Sequence, residues 1–531
     1  MPADPVPHAA PAPAANATPR AADQATPKPA HAAADLSAPA ASPGGLSRRS
    51  VLAAGAALAG SSLITAPRLG PKAQATPSAP AAGTPRPKAK NLIFAVVDGM
   101  SAGTLTLADL AWRRRTGRPA QWLELLLKPG VRRALMSTHS ADSLVTDSAA
   151  AAAVWSTGIK HHNGRLCWLE DGRTPEPLLL RARRSGKRVG CVTTTTITHA
   201  TPAGFYANSP NRNEERAIAE QLLARRLDVA LGGGARFFPD SLLAAPPAID
   251  PRADAPTTPR GQWRLVRTAA ELAAATPDHT RPLLGLFSAS HLSMFPDRAA
   301  AEPSLTDLAT AAVAHLSAAA DADGSGYVLQ VEGGRVDHAG HGNDAPGLLQ
   351  DMLEFDRTVA ALAQLALERD DTLLIVTTDH GTANPGLTLY KDAASAGLDR
   401  LLNARHSAEW ILRTGAPRSE RPDPDATAQA IAARAAEALA VTLTAEDIAA
   451  LKAAVAGQPA DPFQARRGLS GVLGSVLSNH TAVGFISSNH SADHAEVLAL
   501  GPGSEALPPF LDNADLHALA ASALGLRAPA L

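Results

Sequence analysis

The sequence predicts an α/β fold: a doubly wound, mostly parallel central sheet with helices on both faces. Short continuous apolar runs recur along the chain, each stopping at a glycine or a polar residue. Such runs mark strands buried on both faces, which are usually parallel. Between them lie stretches with apolar residues at helical spacing, and strand alternating with helix is the pattern of βαβ units. Composition agrees, because 45% hydrophobic against 19% charged residues over 531 positions supplies a large core and excludes wholesale disorder.

The folded elements are expected only after about residue 90. Residues 1–46 are Ala and Pro with scattered polar residues and no apolar period. That composition cannot offset chain entropy, so they read as a disordered extension. Residues 47–75 follow signal-peptide grammar: Ser47, Arg48 and Arg49, then a weakly apolar run to Ile64, then Ala73-Gln74-Ala75 as a small-x-small cleavage site. The arginine pair resembles the twin-arginine export motif, which predicts a periplasmic or secreted protein. The run is rich in Ala and Gly and shorter than the ~20 residues of a spanning helix, so no stable membrane anchor is expected. Residues 76–90 read as a Pro/Lys-rich linker to a single catalytic domain over 91–531.

The first strand is Asn91–Val97, stopping at Asp98-Gly99. The next runs are 186–193, leading into Thr196 and His199; 228–231, before three glycines; 327–331, before Glu332-Gly333; and 372–378, before Asp379-His380-Gly381. Helices are expected over 214–226, with Ile218, Leu222 and Leu223 on one face, over 304–319 with Ser304 as cap, and through Leu348, Met352, Phe355 and Val359. The stretch 387–470 reads as an insertion with Ala-rich helices around 425–440 and 445–456, placed near the site's rim or a dimer face.

Charge and cysteine content narrow the chemistry. Forty-nine basic against fifty acidic residues leave no electrostatic footprint for nucleic acid or an anionic membrane. Cys167 and Cys191 alone cannot build a disulfide framework or a thiolate zinc site. A metal would have to be held by histidines and carboxylates.

Those residues lie where ligands bind in such sheets, outside the carboxyl ends of the strands. One Asp-Gly after a strand is ordinarily a turn. Three carboxylates, Asp98, Glu332 and Asp379, gathered at one sheet edge would repel one another unless cations neutralised them. Asp337 and His341 are four residues apart, so one helical turn aims both at one ion. His380 follows Asp379, and residues 488–494 offer His490 and His494. Mixed His and Asp sets favour zinc, whereas all-oxygen sets favour magnesium. Ser148 opens an Ala-rich helix, where it is either a plain cap or a nucleophile at an anion-favouring N-terminus. No Gly-x-Ser-x-Gly elbow surrounds it, which disfavours Ser-His-Asp hydrolysis.

Asp98-Gly-Met, Thr146-Asp-Ser-Ala-Ala, His199-Ala-Thr201-Pro-Ala, Leu231-Gly-Gly-Gly, the Glu332-to-His341 segment, Thr378-Asp-His-Gly and Asn489-His-Ser together resemble the alkaline phosphatase family. They occur in that family's order over about 90–385 and 470–505. The resemblance implies two zinc ions and one magnesium. Asp337, His341 and His490 match the ligands of one zinc, and Asp98, Asp379 and His380 those of the other. Asp98, Thr201 and Glu332 match the magnesium set. Ser148 matches the nucleophile and Arg212, thirteen residues after His199, the phosphate clamp. His490 is preferred to His494 because it lies eleven residues before Gly501-Pro502, as in family members.

The implied activity is phosphate-monoester hydrolysis through a phosphoserine, with net retention at phosphorus. A homodimer is also suggested. His199 and His338 stand where enterobacterial members carry Asp and Lys, which leaves them beside the metals and the third metal's identity open. Two other readings are a phosphodiesterase of the same superfamily and a non-catalytic phosphate- or metal-binding protein. The intact Ser148 argues against the latter, and Glu332, Thr201 and Arg212 favour the monoesterase. A sulfatase is disfavoured because no x-Pro-x-Arg follows Ser148.

Overall fold

The computed structural model describes residues 89–526, apart from 245–248, 260, 279, 417–421 and 459–467. The segments expected to be the extension, the export signal and all of the linker but its last two residues lie outside the described residues. The strands are β1 (Asn91–Val97), β2 (Arg132–Ser137), β3 (Arg188–Thr196), β4 (Val229–Gly233), β5 (Arg264–Val266), β6 (Leu283–Leu286), β7 (Tyr327–Gly333) and β8 (Thr372–Thr377). They continue with β9 (Gly381–Thr382), β10 (Gly386–Leu387), β11 (Val483–Gly484), β12 (His490–Ser491), β13 (Ala495–Leu500) and β14 (Phe510–Asp512).

Ten strands form one sheet in the order β14-β2-β13-β8-β1-β7-β3-β4-β6-β5. Every pairing is parallel except those of β13, which runs antiparallel to both β8 and β2. β1 shows why its run is continuously apolar. Ile93, Ala95 and Val97 join one core cluster, and Leu92, Phe94 and Val96 join the cluster on the opposite face. Both faces are covered by helices, so a period-2 polar position has no place.

Helix Leu305–Asp323 starts at a capping box in which Ser304 and Asp307 serve each other's backbone, worth about 1 kcal/mol. Helix Ala345–Glu368 runs longer than its apolar period predicts, starting at an Asp344 cap with Pro346 in its first turn. In the 387–470 stretch, helices Ala408–Gly415, Pro424–Leu439 and Ala445–Val455, with Gly468–Thr481, bury a third apolar cluster around Ile411, Ile431 and Leu473. Among the described residues no helix is long and apolar enough to cross a membrane.

Register sets the site. Val97 lies opposite Gly333 and Val96 opposite Thr377, so β7, β1 and β8 finish level. β3 places Thr193 opposite Glu332.

Candidate active site

Those level strand ends deliver Asp98, Glu332 and Asp379 side by side, each fully or almost fully buried. The backbone then supplies the rest. Glycines let β7 turn directly into helix Arg335–His341, which carries Asp337 and His341. The short β12–β9 ladder sets His490 opposite Thr382, bringing the C-terminal part of the chain over the same edge. Gly99 accepts φ of +76° next to Asp98, and a side chain there would meet the Asp337 backbone at 2.7 Å.

Three groups of ligand-type atoms result, each with its atoms within 4.8 Å of one another: Asp337, His341 and His490; Asp98, Asp379 and His380; and Asp98, His199 and Glu332. Within the first, His341 Nε2 and His490 Nε2 face each other at 2.9 Å, and Asp337 Oδ1 lies 3.4 Å and 3.6 Å from them. Their outer nitrogens are held, His341 Nδ1 by the Ser488 carbonyl and His490 Nδ1 by the Thr146 carbonyl. Those carbonyls fix both Nδ1 atoms as donors, which turns both Nε2 lone pairs inward. In the second group His380 Nε2 lies 3.0 Å from Asp379 Oδ2 and 3.7 Å from Asp98 Oδ1.

The carboxylates follow one rule. Asp98 Oδ2 accepts from Thr201, Glu332 Oε2 from Thr193 and Thr195, and Asp379 Oδ1 from the Gly99 and His380 backbone N–H groups. Of the second oxygens, Asp98 Oδ1 and Glu332 Oε1 are buried with no hydrogen-bond partner, and Asp379 Oδ2 has only the His380 ring beside it. Buried bare oxygens are costly unless a cation meets them. Burial, then the neighbouring carboxylates Asp379, Asp337 and Glu332, push the Asp98 carboxyl well up. Burial raises Glu332 to about 7. Burial also pushes Asp337 upward, but His341, His490 and His380 outweigh it and hold this carboxyl low. These donor sets fit divalent cations, and each of the three combines imidazole with carboxylate.

Ser148 is the first residue of helix Ser148–Thr157 and is almost wholly buried. Its Oγ lies 3.3 Å from His380 Nε2, at the edge of the second group. Asp147 caps the helix by accepting from Ala150 N–H, and its other oxygen accepts from Arg212 Nη1 at 3.0 Å. Arg212 Nη2 reaches His199 Nε2 at 3.2 Å. A guanidinium and a helix N-terminus therefore converge beside the serine, a setting for an anion.

Of the residues singled out from sequence, Asp98, Thr201, Glu332, Asp337, His341, Asp379, His380, His490, Ser148, Arg212 and His199 converge here. His338 is in none of the three ligand groups but packs edge-to-face on His199, a member of one, and on His291. His494 packs on Phe510 instead. Sequence reading missed Thr193 and Thr195, Thr382, which donates to Asp337 at 2.6 Å, and Asn163, which accepts from Asp147 N–H. The i, i+2 spacing of Thr193 and Thr195 at a strand end was the available signal; His291 and Asn163 carried none.

Fold and site together define a metal-dependent hydrolase built on an α/β sheet. The alkaline phosphatase family model matches residues 89–526. Streptomycin-6-phosphate phosphatase of Streptomyces griseus is 34% identical over 378 residues, covering 61% of this chain and 81% of that protein. Escherichia coli alkaline phosphatase is 29% identical, over 62% of this chain and 77% of its own. The crystal structure of Thermus thermophilus alkaline phosphatase superposes with a TM-score of 0.72 at 33% identity, covering 83% of this chain and 92% of that one. The chain belongs to the alkaline phosphatase family, and its enzyme class is that of the phosphoric monoester hydrolases.

Proposed function

We propose that this chain is an exported alkaline phosphatase that hydrolyses phosphate monoesters through a phosphoserine on Ser148. The observation that carries the reading is the buried Ser148 hydroxyl at a helix N-terminus, 3.3 Å from His380 and flanked by Arg212. Asp337, His341 and His490 would hold one zinc ion; Asp98, Asp379 and His380 a second; Asp98, Thr201 and Glu332 a magnesium ion. Bound there, the cations neutralise the carboxylates, lower the serine pKa and polarise the phosphate oxygens.

The chain's own groups do the rest. Arg212, oriented by Asp147, grips two phosphate oxygens with its planar fork. Ser148 Oγ attacks phosphorus in line, the alcohol leaves from the opposite side, and water then cleaves the phosphoserine from the vacated side. Two inversions give net retention. The free N–H groups of helix Ser148–Thr157 favour the negative charge that builds beside them. Thr193, Thr195 and Thr382 keep Glu332 and Asp337 aimed inward. The reading includes a twin-arginine-type signal at 47–75 between an extension and a linker, a periplasmic or secreted location, and a homodimer.

The test is hydrolysis of p-nitrophenyl phosphate against bis-p-nitrophenyl phosphate by mature protein loaded with zinc and magnesium. Ser148→Ala and a chelated sample run alongside. Monoester preference that disappears in both controls is expected. Diester preference, or no turnover with metal demonstrably bound, would move the assignment to a phosphodiesterase or to a binding protein.

A further inference from the structure

We infer that Glu409, on helix Ala408–Gly415 of the 387–470 stretch, is a positioning residue for the phosphate clamp, acting through Arg335, His338 and His199 on Arg212. The inference rests on the phosphatase reading and extends it to a helix that touches none of the reacting atoms.

The contacts form one relay. Glu409 Oε2 accepts from Arg335 Nη2 at 2.6 Å. The other arm of the same guanidinium, Nη1, meets His338 Nδ1 at 2.6 Å. The His338 ring lies edge-to-face on His199 with centroids 5.4 Å apart, and on His291 at 4.5 Å. His199 Nε2 meets Arg212 Nη2, and Arg212 Nη1 meets Asp147, the cap of the serine helix. A guanidinium has donors and no acceptor, so His338 Nδ1 and His199 Nε2 must both present lone pairs. Each arginine therefore fixes one imidazole tautomer, and the two rings pack on each other between them.

Glu409 is held where this relay needs it. Its backbone N–H donates to Asp344 Oδ2 at 2.9 Å, and Asp344 Oδ1 accepts from Gly347 at the start of the next helix. Asp344 lies three residues past His341. On the other side, Ser407 and His406 bond to Asp297, in the segment that follows His291. The N-terminus of helix Ala408–Gly415 thus docks on both flanks of the histidine cluster. The Arg335 side chain is 6% exposed, and among the described residues its ion pair is with Glu409. Glu409 itself is half exposed, which weakens the pair, but a buried guanidinium that loses this carboxylate is left with neutral acceptors alone, the His338 ring and, in a glutamine variant, an amide carbonyl. Arg335 would then turn toward water, His338 would lose the donor that fixes its tautomer, and the wall behind His199 and Arg212 would loosen.

The experiment uses the full chain loaded with zinc and magnesium, with inorganic phosphate as the probe. Phosphate binding by calorimetry, KM and kcat on p-nitrophenyl phosphate, bound metal and melting temperature are measured for wild type, Glu409→Gln and Arg413→Ala. Arg413 is an exposed residue on the same helix. The expected result for Glu409→Gln is phosphate binding weakened about tenfold and KM raised in step, with kcat, metal content and melting temperature near wild type. Arg413→Ala should match wild type throughout. A double variant with His338→Ala should be no weaker than His338→Ala alone. Wild-type phosphate affinity in Glu409→Gln overturns the inference, as does a loss that comes only with lost metal and a lowered melting temperature, which would make the pair a brace of the fold. A wild-type protein that binds no phosphate overturns the phosphatase reading and this inference with it.

Discussion

Replacing His517 by glutamine should reduce the acid sensitivity of the fold. His517 is 5% exposed behind the serine helix, where its Nδ1 donates to the Trp155 carbonyl and its Nε2 accepts from Arg181 Nη1, both at 2.8 Å. Burial, reinforced by the Arg181 charge, lowers its pKa from 6.5 to about 4 despite the carbonyl bond. The sign follows from where protons bind. Between pH 6.5 and 4 the unfolded chain takes up a proton that the folded chain refuses, so stability present above 6.5 is lost as pH falls. At 1.36 kcal/mol per pH unit the full loss is about 3.4 kcal/mol, and between pH 8 and pH 5 it is about 2 kcal/mol. Glutamine offers a donor and an acceptor of similar reach but does not titrate. Denaturant unfolding in chelator at pH 8 and pH 5 should give a difference between the two pH values about 2 kcal/mol smaller in His517→Gln than in wild type. Parallel pH dependence in the two proteins would refute the reasoning.

Other outcomes follow from the site and its supports. Arg212→Ala should lower kcat/KM for monoesters about 10- to 100-fold, the worth of a charge-assisted hydrogen bond, with most of the change in KM; steady-state kinetics checks it. Thr193→Val leaves Glu332 one hydroxyl short and should weaken divalent-metal binding at the Asp98–Glu332 group about tenfold, read as metal content after equilibrium dialysis. Gly103→Ala places a methyl 1.8 Å from the Pro385 carbonyl, so it should cost more than about 1 kcal/mol in thermal unfolding, as backbone must move. Changing Arg48 and Arg49 together to Lys should trap the protein in the cytoplasm, assayed by fractionation; undiminished export would remove the twin-arginine assignment.

How far the sequence could be read depends on what each segment buries. β1, β7 and β8 are legible because both faces of each are covered, leaving unbroken apolar runs. β2 reads Arg-Arg-Ala-Leu-Met-Ser and escapes notice: Arg132, Arg133 and Leu135 face solvent, and only Ala134 and Met136 turn to the core. β5 and β6 are three and four residues long, below the length at which periodicity carries weight. β13 is the antiparallel strand that the parallel pattern gives no reason to expect. The ligand-type residues are legible because chemistry ties residue type to spacing within short motifs. The groups that aim them are not, because a buried threonine or asparagine has the same spelling whether it supports a carboxylate or a turn.

The β12–β9 ladder has a consequence for how the protein is made. His490 reaches the cluster only through a two-residue pairing laid down after the whole 387–470 stretch, whereas Asp98 sits at the end of the first strand. Every ligand-bearing strand end between them is in place before the last histidine leaves the ribosome. From Glu332 onward the nascent chain carries the pocket's carboxylates without the last histidine, and the ligand-type set closes only once residue 490 has emerged. A metal held by the full set would in that sense certify translation past residue 490, which a chain cut short before it cannot carry.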